Sequence, residues 1–164
     1  MILNLAVRLG AALASPPRTL AAAESCTGGA FGAAVTDVPG SSAYFLGGVV
    51  AYSNASKVRD LGVPQSLIDA KGAVCEEVAV AMAEGAAARF GADIGVGITG
   101  IAGPGGAVPG KPVGTVYIAV AAGEVRLSNR FFLTGDRDAV RGQSVARALA
   151  AVLAVAESGK GGGT

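Results

Sequence analysis

The sequence has no histidine and no tryptophan, only two cysteines, and charged residues at just 15% of its 164 positions. Without histidine, every Ser-His, Cys-His and His-metal arrangement is excluded. Any general base is Lys, Asp, Glu, Tyr or water. The two cysteines, Cys26 and Cys75, carry no metal-type spacing. The formal net charge is +1, with no dense Lys/Arg stripe. Nucleic acid binding needs a basic face that releases counterions, so no nucleic acid partner is expected. No apolar run reaches bilayer-spanning length, because Gly and charges interrupt each candidate, and no membrane partner is expected. The N-terminus lacks the basic start and small-residue cleavage site of a signal peptide, so a cytoplasmic location is the expectation.

What is present is apolar and small. Hydrophobic residues make up 51%, much of it alanine, with 26 glycines. That suits one domain with a sizeable core, expected over 1–157, and a frayed Gly-rich tail over 158–164. Apolar content this high also predicts a homo-oligomer, a dimer or larger. The spacing predicts helices over Leu3 to Leu13, Ala30 to Val35, Ala55 to Leu61 and Glu76 to Phe90, with a short helical turn after Pro64. A long last helix opens at Asp136 or Asp138 and runs to about Ala156. Strands are predicted over Thr19 to Ala23, Tyr44 to Tyr52, Asp93 to Thr99, Val113 to Ala121 and Val125 to Leu133. Gly47-Gly48 marks a bulge or a close backbone approach. The alternation of strands and helices, with one hairpin near the end, predicts an α/β three-layer sandwich. Its sheet is mixed and mostly parallel, with an antiparallel strand.

In such sheets ligands sit at the carboxyl ends of strands. Ser25, Tyr52/Ser53 and Thr99/Gly100 each follow a predicted strand. Ser25 is the leading nucleophile, set before a helix start at Thr27, Gly28 and Gly29, whose free N–H groups suit an oxyanion or a phosphate. Its competing role is a helix N-cap. Cys26 is adjacent but points the other way, and a buried Cys is usually inert. Lys57 is the candidate base. It falls in the first turn of a helix capped by Ser53 or Asn54, where the dipole and burial lower an amine's pKa. A solvated surface lysine is the alternative. Tyr52 can relay the proton or hydrogen-bond a substrate, or simply end a strand. The Gly100 to Gly106 loop lets backbone amides approach a phosphate or ribose. Arg137 and Arg141 share a face of the last helix, and either can grip a phosphate. Gly105 to Lys111 matches phosphate-loop spacing, but Pro112 stands where that loop needs Ser or Thr and a strand follows, so a nucleoside-triphosphate site is excluded.

Taken in order, these pieces resemble the CinA C-terminal domain family, the nicotinamide mononucleotide deamidases. The matching stretches are Ala23 to Gly29, Gly40-Ser41-Ser42, Tyr52-Ser53-Asn54 with Lys57, Gly72-Ala73-Val74, Gly97 to Pro104, Lys111 to Val116 and Gly135-Asp136-Arg137. The resemblance implies a three-layer α/β fold. It also implies hydrolysis of nicotinamide mononucleotide to nicotinate mononucleotide and ammonia, with no cofactor and no metal. Ser25 matches the nucleophile, Lys57 the base and Tyr52 an assisting hydroxyl. Ser42, Thr99, Gly100 and Arg141 match positions associated with the substrate pocket. Many members carry a larger N-terminal domain, so the expectation here is the stand-alone form. Cys75 stands where relatives often have Ser, and it is expected to cap the helix that follows. The second reading is a non-catalytic nucleotide-binding or partner-binding module tied to competence or damage responses.

Overall fold

Leu20–Glu24 forms β1, a strand buried along its whole length. Its side chains alternate between two cores, as a period of two requires. Leu20, Ala22 and then Cys26 enter the larger core, whereas Ala21 and Ala23 enter the smaller one on the other side of the sheet. That alternation decides where each residue of the following turn points.

The computed structural model describes residues 1–158. Around β1 the chain runs α1 (Ile2–Ala14), α2 (Ala30–Thr36), a 3-10 turn (Ser41–Ala43), β2 (Phe45–Val50), α3 (Asn54–Leu61) and α4 (Gln65–Lys71). It continues through α5 (Glu76–Phe90), β3 (Ile94–Gly100), β4 (Thr115–Ala122), β5 (Val125–Phe132) and α6 (Arg137–Ser158). The tail expected over 158–164 begins at the last residue of α6, and 159–164 lie outside the described residues.

The five strands form one sheet in the order β2-β1-β3-β4-β5. β1 pairs parallel with β2 and β3, β3 pairs antiparallel with β4, and β4 antiparallel with β5. β4 is therefore the one reversed strand, and the mixed, mostly parallel sheet is as expected. Leu20 pairs with Phe45 but Ala21 with Gly47, so the register slips at Leu46, beside the predicted Gly47-Gly48 irregularity. Helices α1, α2 and α6 pack on one face, and α5 with α3 and α4 on the other.

Close packing on the α5 face depends on missing side chains. A Cβ on Gly97 of β3 would lie 2.2 Å from the Ala79 carbonyl of α5. Glycine and alanine therefore bring that helix down onto the sheet. On the other face α6 has the length and apolar content of a bilayer span, but half of that stretch is buried inside the domain. Its ten buried residues include Val145, Leu149 and Val152, which belong to the larger core.

Candidate active site

Ser25 follows Glu24 at the carboxyl end of β1 and continues the alternation toward the α3 side. Ser53 caps α3 by accepting from the Ser56 N–H, which settles the choice between Ser53 and Asn54. Lys57 then lies one turn in, pointing at the end of β1. Its Nζ donates to Ser25 Oγ at 3.0 Å, to the Ala51 carbonyl at 2.9 Å and to the Tyr52 carbonyl at 3.3 Å. Lys57 is 1% exposed and forms no ion pair among the described residues. Burial without a carboxylate pushes its amine below the ordinary lysine range. The geometry is that of an amine able to take a proton from a serine hydroxyl.

Cys26 lies on the opposite side of the same turn. It is buried in the larger core, and burial raises its thiol to about 11. A protonated thiol facing apolar side chains is a weak nucleophile.

The helix start after Ser25 differs from expectation. Gly28 and Gly29 adopt left-handed backbone, with φ of 60° and 99°, which lets the chain fold back over β1. The Glu24 carboxylate then accepts from the N–H groups of Gly29, Phe31 and Gly32 at 2.9 to 3.1 Å. Glu24 is 3% exposed, so the anion site at the start of α2 is filled by the chain's own carboxylate. Glu24 neither orients Lys57 nor pairs with an arginine, and Ser25 does not cap α2. The Gly28 N–H is also taken, by the Ser25 carbonyl at 3.0 Å. The N–H groups of Cys26 and Thr27 donate to no backbone or side-chain oxygen among the described residues.

Tyr52 is 57% exposed, and its hydroxyl accepts from Arg137 Nη2 at 2.8 Å instead of meeting Lys57. Arg137 also donates to the Gly103 carbonyl at 2.8 Å, tying the glycine-rich loop to the start of α6. Asp136 caps that helix by accepting from the Ala139 N–H. Thr99 is buried, and its hydroxyl donates to the Ala73 carbonyl at 2.8 Å. At Gly100 a Cβ would lie 2.7 Å from Val116 and 2.9 Å from the Thr115 carbonyl, so packing on β4 requires a glycine there. Ser42 precedes β2 at its amino end. Because β1 and β2 are parallel, Ser42 and Ser25 lie at opposite ends of the sheet, roughly 15 Å apart along the strands. Cys75 stands at the expected N-cap of α5, where the Val78 N–H faces its thiol, and the thiol donates to the Gly72 carbonyl at 3.6 Å. A cleft of about 620 Å³ lies between α1 and α6 and is lined by Leu5, Arg8 and Arg147, with no residue of the Ser25 cluster.

The fold and site together define a doubly covered α/β sheet with a buried serine–lysine pair at the carboxyl rim of its strands and no histidine. Residues 3–156 match the CinA C-terminal domain, and the chain belongs to that family. It is similar to the nicotinamide-nucleotide amidohydrolase PncC of Pseudomonas putida, 50% identical over 93% of this chain and 95% of that protein. A CinA-like protein of Geotalea uraniireducens is 55% identical over 75% of this chain. The chain spans only 29 to 34% of the length of that protein and of other CinA-like and competence-damage inducible relatives. Among solved structures, a CinA superfamily protein from Klebsiella pneumoniae superposes with a TM-score of 0.93 at 34% identity, covering 96% of this chain and 99% of that one. The competence/damage inducible protein CihA from Agrobacterium tumefaciens superposes at 0.91 with 37% identity, covering 94% of each chain.

Proposed function

We propose that this chain is an amidohydrolase that converts nicotinamide mononucleotide to nicotinate mononucleotide and ammonia, with Ser25 as nucleophile and Lys57 as base. The carrying observation is the 3.0 Å contact between a buried, unpaired lysine amine and a serine hydroxyl. The likeness to a nicotinamide-nucleotide amidohydrolase over nearly the full length supports the substrate class. A cytoplasmic location and a step in pyridine-nucleotide salvage go with that reading.

The neutral Lys57 amine takes the Ser25 proton as Oγ attacks the carboxamide carbon. The carbonyl oxygen becomes an oxyanion facing the Cys26 and Thr27 N–H groups. The C–N bond breaks as the Lys57 ammonium returns its proton to the departing ammonia. Water then attacks the acyl-serine, again through Lys57, releasing nicotinate mononucleotide and restoring Ser25. The ribose-phosphate end lies toward the Gly100 to Gly106 loop and Arg137.

Purified protein incubated with nicotinamide mononucleotide is expected to release ammonia in proportion to nicotinate mononucleotide. Ser25→Ala and Lys57→Ala, each still folded by circular dichroism, are expected to release none. Nucleotide binding without turnover in the wild type would instead favour the non-catalytic module, for which the competence-damage names of several relatives are the support.

A further inference from the structure

Arg141 lies one turn into α6, over the Ser25 turn. Its Nε donates to the Cys26 carbonyl at 3.3 Å and its Nη2 to the Thr27 carbonyl at 3.0 Å. Its Nη1 stands 3.7 Å from the Asp138 carboxylate. The Nε/Nη2 edge of the guanidinium is thus engaged by the two carbonyls, while Nη1 makes only an ion-pair contact with Asp138.

The two carbonyls are the ones that immediately follow the nucleophile. The Cys26 C=O and the Thr27 N–H belong to one planar trans peptide and point in opposite directions. Holding that carbonyl therefore sets the direction of the Thr27 N–H. A cation on the carbonyl oxygen also polarises the amide and strengthens its N–H as a donor. Among the described residues the Thr27 N–H donates to no oxygen, and Thr27 as a whole is buried with no partner for its hydroxyl. The peptide is thus held from behind by the guanidinium.

We propose that Arg141 is a positioning residue for the oxyanion site, aiming and polarising the Thr27 N–H toward the tetrahedral intermediate on Ser25. This rests on the amidase reading, and it differs from the substrate-binding role that the family resemblance implies for Arg141.

The test measures kcat and KM for the wild type, Arg141→Gln and Arg141→Lys. Substrates are nicotinamide mononucleotide and its dephosphorylated counterpart, nicotinamide riboside. In parallel, the rate of Ser25 labelling by a small fluorophosphonate is followed, since its phosphoryl oxygen occupies the oxyanion position. Circular dichroism checks that each variant is folded. Arg141→Gln is expected to lower kcat on the order of 10²-fold with KM within a few-fold, equally on both substrates, and to slow labelling by a similar factor. Arg141→Lys, which keeps the cation, is expected to recover part of each loss. A raised KM with kcat retained, confined to the phosphorylated substrate, would overturn the proposal and return Arg141 to phosphate binding. Unchanged labelling in a folded Arg141→Gln would overturn it as well. A wild type that labels at Ser25 but releases no ammonia removes the amidase reading while the labelling rates still decide Arg141. A wild type that does neither removes both.

Discussion

Ser25 and Cys26 are neighbours in one turn, and the more reactive atom type sits in the less reactive place. Ser25 faces α3, where the Lys57 amine meets it at 3.0 Å. Cys26 faces the larger core, where burial raises its thiol to about 11. The difference comes from strand alternation, which sends successive side chains to opposite faces of the sheet. One face offers a desolvated base, and the other offers only apolar walls and the Glu24 clasp on α2. On the proposed mechanism, environment and not intrinsic nucleophilicity selects the reacting atom.

The largest expected effect tests that contrast directly. Ser25→Ala should lower kcat by on the order of 10⁴-fold or more, since nucleophile and base act as a unit. Cys26→Ala should leave kcat within about twofold and cost only about 1 kcal/mol of stability from the lost buried thiol. Steady-state ammonia release and urea denaturation read the two. Equal losses of activity would erase the distinction between the faces.

On the other face, Glu24→Ala leaves three N–H groups of α2 without their carboxylate. A loss of about 3 kcal/mol is expected, measured by urea denaturation. Glu24→Gln, which keeps an acceptor oxygen, should lose less. Equal stability of all three proteins would show that the clasp contributes nothing.

The pH profile sharpens the Ser25 side. Burial lowers the Lys57 pKa from 10.5, and only the neutral amine accepts the serine proton. The rate should therefore rise with pH, falling about tenfold per unit on the acid side of that lowered pKa. The midpoint should lie below 10.5. A flat kcat/KM across that limb would remove Lys57 as the base.

Tyr52→Phe should have the smallest effect on turnover. Its hydroxyl meets Arg137, not Lys57 or Ser25, so the loss is one hydrogen bond of about 1 kcal/mol. Less than about a tenfold change in kcat/KM is expected from that. A loss as large as that of Lys57→Ala would make the phenol a direct proton carrier.

The strands, the long helices and the separate candidacies of Ser25 and Lys57 were legible because each rests on local rules. Apolar periodicity, Ser53 as a cap and the glycine signals act within a few residues. Less legible were the surroundings of residues whose contacts depend on distant partners. Thr99 is tied to Ala73 across the α5 face, and Gly100 is packed on β4, neither of which any spacing announces. Ser42 follows the right kind of loop but lies at the amino end of a parallel strand, so it is carried to the far end of the sheet. Glu24 carries a readable signal. A carboxylate five residues before Gly29 can fold back onto a helix start once two glycines allow the turn.

The chain by itself determined which chemistry was possible. With no histidine, a serine at a strand end and a lysine in a helix's first turn were the available nucleophile and base. Only the tertiary structure decided that the two meet, because 32 residues separate them and the parallel β1–β2 ladder returns α3 to the same rim. Tertiary structure also decided what the helix start and Arg141 do. Both sequence features suited a bound anion, but the fold supplies partners to each. Glu24 met the amides of α2, and the carbonyls of Cys26 and Thr27 met the guanidinium.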